Sequence, residues 1–237
     1  MFNFFRILFS PIIAILDFIT KYFKTIVFLT IIYFIVTPSN ENLTDVNSHA
    51  NLQKIELTGP IMDVSKTLED IQKAKEDKNI KGVLFVVNSP GGAVAPSVEL
   101  AYAIKELKEI KPVVVYASGV IASGSYYASI WANKIIANPG SIVGSIGVIM
   151  QGVNTEELME KIGVSTQTVK AGKYKESGTP TRKWFDYEEK QLQSVIDDTY
   201  NMFISDVASA RNLDVKNHTL FADAKIFTSK QAKEVGL

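Results

Sequence analysis

The chain has 237 residues, 46% of them hydrophobic, with 25 basic and 25 acidic side chains. That length accommodates one or two domains with a sizeable core, and zero net charge gives no case for nucleic acid as a partner. Cysteine is absent, which excludes disulfides and thiolate metal sites, and His49 and His218 are the only histidines.

The first 37 residues are rich in Phe, Ile, Leu and Val, and Thr25 to Val36 (TIVFLTIIYFIV) carries no charge. The uncharged run from Thr25 to Asn40 falls a little short of the roughly 20 residues that span a hydrocarbon core. Snorkelling of Lys21 and Lys24 lengthens the usable span. The sequence therefore predicts a transmembrane helix over about residues 22–37. A cleaved signal peptide suits the stretch less well, because Phe2 to Ile19 is already apolar and no clear small-x-small site follows Val36. Arg6, Lys21 and Lys24 precede the span, and Glu41 and Asp45 follow it. The positive-inside rule then expects a single pass of the cytoplasmic membrane, N-terminus inside and the remainder outside. Phe2 to Ile19, broken by Arg6, Pro11 and Asp17, can lie in the interface as a second lipid contact.

Residues 38–51 (PSNENLTDVNSHAN) are polar and turn-rich, a linker to a domain over residues 52–237. There the pattern alternates. Lys54–Ile61 reads as a strand and Val64–Asp77 as a helix with Leu68, Ile71 and Ala74 on one side. Gly82–Val87 is a continuous apolar strand, buried on both faces. Val94–Ile110 is helical, Val113–Tyr116 a strand, Ser123–Ala132 a short helix and Lys134–Ala137 a strand. Asn154–Ile162 reads as a helix opened by Asn154, and Thr166–Lys170 as a candidate edge strand. A long helix covers Asp186–Arg211, with Asp186 as cap and Glu189 three residues on, and Thr228 with Gln231 marks a last helix. This rhythm predicts an α/β fold, a mostly parallel sheet joined by right-handed helical crossovers.

Ligand sites in such folds lie at the carboxyl ends of strands. One loop there is Asn88-Ser89-Pro90-Gly91-Gly92. Its glycine pair suits a plain turn, and equally an oxyanion hole made of backbone N–H groups. The other runs from Ala117 to Gly124 and delivers Ser123 to a helix start. Ser123 there is a helix cap or an exposed nucleophile on a strand–turn–helix elbow, although the spacing is not G-x-S-x-G. A serine nucleophile needs a base. Neither histidine sits in a strand-end loop, which leaves Lys170, Lys173 and Lys175 in VKAGKYKESG. A solvated lysine, with a pKa of about 10.4, is neutral in roughly one molecule per thousand at pH 7, so a lysine base must be desolvated. A lysine cluster is otherwise a solvated surface.

Five stretches in order carry a resemblance: VVNSPGG (Val86–Gly92), ASGSYYAS (Ala122–Ser129), NPGSIVGSIGVIM (Asn138–Met150), AGKYKESGTPTR (Ala171–Arg182) and FTSKQAKEVGL (Phe227–Leu237). Together the chain resembles the signal peptide peptidase A (SppA) family of membrane-anchored Ser–Lys serine proteases, from about Lys54 to the end. The resemblance implies Ser123 as nucleophile, Lys175 as general base, Gly91 and Gly92 as oxyanion loop and Ser145 as an orienting residue. It implies a fold akin to Clp protease and crotonase, no metal or cofactor, a ring- or dome-shaped homo-oligomer, and apolar signal-peptide remnants as substrates. The chain departs from the family's two glycines before the tyrosines: it has Gly124-Ser125, which makes Ser125 a rival hydroxyl. The family's usual acidic tail beyond Val-Gly-Leu has no counterpart before Leu237.

Overall fold

The apolar run Gly82–Val87 forms an interior strand of a six-stranded sheet, second from one edge. The computed structural model describes residues 17–33 and 51–237, which belong to two separate units. Residues 17–33 are helical, with apolar side chains such as Phe18, Phe28 and Tyr33 exposed. Among the described residues no helix is long and apolar enough to cross a membrane. The expected span is described only as far as Tyr33; residues 34–37 and all but the last residue of the linker lie outside the described residues.

The second unit runs β1 (Leu52–Thr58), α1 (Ser65–Glu76), β2 (Gly82–Ser89), α2 (Val94–Lys108), β3 (Val113–Ala122), α3 (Gly124–Ser129), β4 (Lys134–Ala137), β5 (Ile142–Gly144), α4 (Glu156–Lys161), α5 (Asp186–Arg211), a 3-10 turn (Val215–Leu220), β6 (Ile226–Thr228) and α6 (Ser229–Val235). Strand order is β1-β2-β3-β5-β6, with β4 also paired to β3. Every pairing is parallel except β5 with β6. The core is built on Phe85 and Val87 of β2, Val113 and Val115 of β3, and Leu100, Ile104 and Leu107 of α2, all with no exposed surface. Each such side chain contributes about 1.5–3 kcal/mol through removal from water.

Strand β3 is longer than its apolar run predicts. It pairs with β4 over Val114–Ala117 and, beyond a bulge, with β5 over Val120–Ala122. Ser118 and Gly119 read as a strand end. The Asn88 side chain instead accepts the Val120 N–H at 3.0 Å and holds the chain in the sheet. The extension carries the strand end directly to Ser123. Thr166–Lys170 forms no strand: it pairs with nothing in the sheet and Val169 is fully exposed. Helix α5 is capped one residue earlier than expected, with Phe185 in extended conformation and its N–H donated to Glu188 rather than Glu189. Asn154 stands one residue outside the helix it was expected to open: the cap of α4 is Thr155, the helix begins at Glu156, and the Asn154 side chain accepts the Glu156 N–H at 3.0 Å in the turn before it. The Thr228–Gln231 capping box is present on α6.

Candidate active site

Ser123 joins β3 to α3 with φ +53° and ψ −126°. A non-glycine residue in such a conformation costs on the order of 1–3 kcal/mol and persists only where its surroundings enforce it. They do so here. The Ser123 N–H donates to Gly144 O at 2.8 Å, and Ser123 O accepts the Tyr127 N–H at 3.0 Å. All of α3 behind it is buried. Gly124 abuts the Ser97 hydroxyl so closely that any Cβ would overlap it. The turn thereby projects a partly exposed serine whose hydroxyl has no hydrogen bond to any described residue. Ser123 opens onto a cavity of about 90 Å³ with apolar walls from Val94, Val98, Met202 and Phe203. Tyr127 also lines it. Burial, with a hydrogen bond to Asp206, pushes the Tyr127 phenol up, so this wall stays neutral.

The rival serines serve the scaffold. Ser125 is fully buried; its hydroxyl accepts the Ala122 N–H at 2.9 Å and lies 2.7 Å from Ser89 O and 2.9 Å from Ala122 O as donor. Ser129, equally buried, donates to Ser125 O at 2.8 Å. Both hydroxyls are committed and point away from water.

The glycine loop packs onto the elbow. A Cβ on Gly91 would lie 2.6 Å from Gly124 N and 2.9 Å from Ser123 Cβ, and one on Gly92 would overlap the Ile61 backbone. The two predicted glycines differ in what they offer. The Gly91 N–H donates to Ser89 Oγ at 3.2 Å and Gly91 takes φ +92°, so it shapes the loop. The Gly92 N–H has no partner among the described residues, and neither does that of Gly124, which the sequence did not single out. Both glycines line the cavity beside Ser123. The signal for Gly124 is its place directly after the serine of a strand–turn–helix elbow, where the following N–H faces the same side as the hydroxyl.

Ser145 also has positive φ, +51°, and donates its N–H to Lys225 O at 2.7 Å. It directly follows Gly144, the residue that accepts the Ser123 N–H, so the fold brings Ser145 beside the elbow. The lysines separate by environment. Lys170 is 2.9 Å from Glu176, and Lys173 lies over the Tyr187 ring at 4.5 Å. Lys175 is exposed in the turn that follows Gly172, and its ammonium has no salt-bridge partner among the described residues. It does not line the Ser123 cavity. His218 packs edge-on against Tyr200 with ring centroids 6.0 Å apart and does not line the cavity either; His49 lies outside the described residues. Among the described residues no group of three His, Asp or Glu side chains could hold a metal ion.

The model of peptidase family S49 matches residues 105–237. A provisionally named protease of Methanocaldococcus jannaschii is 48% identical over 171 residues, 72% of this chain and 54% of its own length. A provisionally named signal peptide peptidase SppA of Enterococcus faecium is 34% identical over 213 residues, 84% of this chain and 62% of its own length. The chain thus spans about half to two thirds of these relatives. In fold it is similar to ClpP1 of Listeria monocytogenes, with a TM-score of 0.50 at 14% identity, covering 77% of this chain and 86% of that one.

Proposed function

Because the chain belongs to peptidase family S49, we propose that it is a serine endopeptidase in which Ser123 is the nucleophile and Lys175 the general base. The observation that carries this is the Ser123 elbow, strained at φ +53° with a free hydroxyl and two unpartnered N–H groups beside it. Neutral Lys175 takes the hydroxyl proton as Ser123 Oγ bonds to the peptide carbonyl carbon. The carbonyl electron pair moves to oxygen, held by the Gly92 and Gly124 N–H groups. Collapse breaks the C–N bond, and the leaving amine receives the proton from Lys175. Water, deprotonated by Lys175, then cleaves the acyl ester and restores Ser123. Ser145, next to the elbow, orients the lysine amine.

Lys175 is solvated in a single chain, whereas base chemistry needs it desolvated. Glu188, which anchors the Lys175 turn through Arg182, is 14 residues before Met202 of the cavity wall on the same helix, about 20 Å along its axis. A homo-oligomer that seats the Lys175 turn of one subunit against the Ser123 cavity of the next meets both requirements. Exposed Ile149, Val153, Leu158, Ile162 and Val164 supply an apolar surface for that contact.

The apolar cavity favours apolar peptides, and the uncharged run near the N-terminus suits an anchor over residues 22–37. Both support remnant signal peptides in the cytoplasmic membrane as substrates, with the catalytic domain on the extracytoplasmic side. The test is turnover of an apolar peptide by full-length Ser123→Ala, Lys175→Ala and wild-type protein. Loss in both variants is expected. Full turnover in either ends the proposal.

A further inference from the structure

Resting on the Ser–Lys reading above, we infer that Glu176 is the positioning residue for Lys175, held in place by a relay of charges that begins at the fully buried Glu188. The relay starts in the first turn of α5. Glu188 has no exposed surface, and its two carboxylate oxygens take the Arg182 guanidinium in a fork, both bonds at 2.8 Å. Its Oε2 also accepts the Phe185 N–H at 2.9 Å. The carboxylate is thus fixed by a helix start, and the planar guanidinium is fixed by the carboxylate.

Arg182 Nη2 then reaches forward to Glu176 Oε2 at 3.1 Å, and Lys170 grips the same oxygen from the other side at 2.9 Å. Arg182 and Glu176 are each only 19% exposed, so the contacts are shielded from the screening that weakens surface pairs. Glu176 is the residue next to Lys175, and it carries the ionic tie from this turn through Arg182 to the buried Glu188. Lys175 contributes only its own backbone N–H, to Gly172 O at 3.2 Å. The turn's other ties reach backbone carbonyls and rings: the Pro180 carbonyl accepts from Thr155, Thr179 O accepts the Trp184 indole N–H at 2.9 Å, and Tyr187 meets the Tyr174 ring at 5.4 Å, the Lys173 ammonium at 4.5 Å and, as a donor, Lys173 O at 3.4 Å.

The arrangement solves a problem specific to this base. A catalytic lysine cannot be anchored through its own amine, because an ion pair would keep the amine charged. Pinning the neighbouring residue fixes the backbone and leaves the amine free. Lys170 and Arg182 both engage Glu176 Oε2, so the charge of this carboxylate is already met by two cations beside Lys175.

The test uses full-length protein and an apolar fluorogenic peptide, with kcat, KM and melting temperature measured together. Glu176→Ala leaves the buried Arg182–Glu188 fork intact and unties the turn. A misplaced base costs on the order of 10²-fold in rate. We expect kcat to fall by about 10- to 100-fold, with KM within about threefold and melting temperature little changed. Glu176→Gln, which keeps an acceptor for Arg182, should recover most of the loss. Arg182→Lys, which keeps charge but loses the fork, should resemble Glu176→Ala in kcat. The inference is overturned if Glu176→Ala retains wild-type kcat, if only KM changes, or if Gln rescues no better than Ala. Lys175→Ala serves as the control. Its retaining activity would refute the Ser–Lys reading itself, whereas its loss beside a fully active Glu176→Ala would refute only the positioning role.

Discussion

Ser123 and Ser125 sit two residues apart, yet their removal should have opposite signatures. In Ser125→Ala, the Ala122 N–H loses its acceptor at 2.9 Å and the Ser89 carbonyl loses its donor at 2.7 Å, in a site with no exposed surface. Each buried group left without a partner costs about 1–3 kcal/mol, so the sum is on the order of 2–6 kcal/mol. For a chain of this size each kcal/mol shifts the melting temperature by roughly 2–4 °C, giving a drop of about 4–24 °C. Turnover per folded molecule should stay within a few-fold of wild type. Ser123→Ala deletes a hydroxyl with no partner among the described residues, so its melting temperature should move by no more than about 2 °C. Its turnover should fall by at least about 10³-fold. Thermal melts and peptide turnover on the same samples decide the matter. A Ser125→Ala protein that melts like wild type but is inactive would refute this division of labour.

Three further perturbations follow from the same contacts. Gly124→Ala forces a Cβ into the Ser97 hydroxyl at the elbow, so turnover should fall by about 10²-fold or more even where circular dichroism shows a folded chain. Ala224 has φ +54° in the loop that backs Gly147, a conformation glycine adopts without penalty; Ala224→Gly should raise stability by about 0.5–1 kcal/mol in urea unfolding. The Arg182 fork holds the Glu188 carboxyl at about 2, well below the ordinary carboxylate range. A depressed folded-state value means stabilisation that is complete above about pH 4.5 and is lost as pH falls towards 2. The gap in melting temperature between wild type and Glu188→Gln should therefore narrow over that window; a constant gap would contradict it.

The parallel sheet was legible because its central strands are unbroken apolar runs and its helices carry clear periodicity. Gly82–Val87 and Asp186–Arg211 needed no tertiary information. The β5–β6 pair did: three residues per strand is too short for any period, and their partners are distant in the chain. The extension of β3 was hidden for a related reason, since Ser118-Gly119 signals a stop locally and only Asn88, from another strand, overrides it. At the site, Ser123 and the glycine loop were visible as strand-end features. The difference between Ser123 and Ser125 was not, because both are small hydroxyls at a helix start, and burial alone tells them apart. Gly91 and Gly92 looked equivalent until Ser89 took the Gly91 N–H. Composition left the lysine triplet unresolved; the resemblance singled out Lys175, and the partners of Lys170 and Lys173 leave its amine the uncommitted one.

The central claim, a serine nucleophile activated by a lysine, is tested most directly by covalent capture. Full-length protein is treated with a fluorophosphonate and the modified residue is identified by peptide mass spectrometry, for wild type and for Lys175→Ala. The account predicts a single adduct on Ser123 in wild type, and labelling of Lys175→Ala slower by at least about 10²-fold. An adduct on Ser125 or any other residue, or labelling of Lys175→Ala at the wild-type rate, would contradict it.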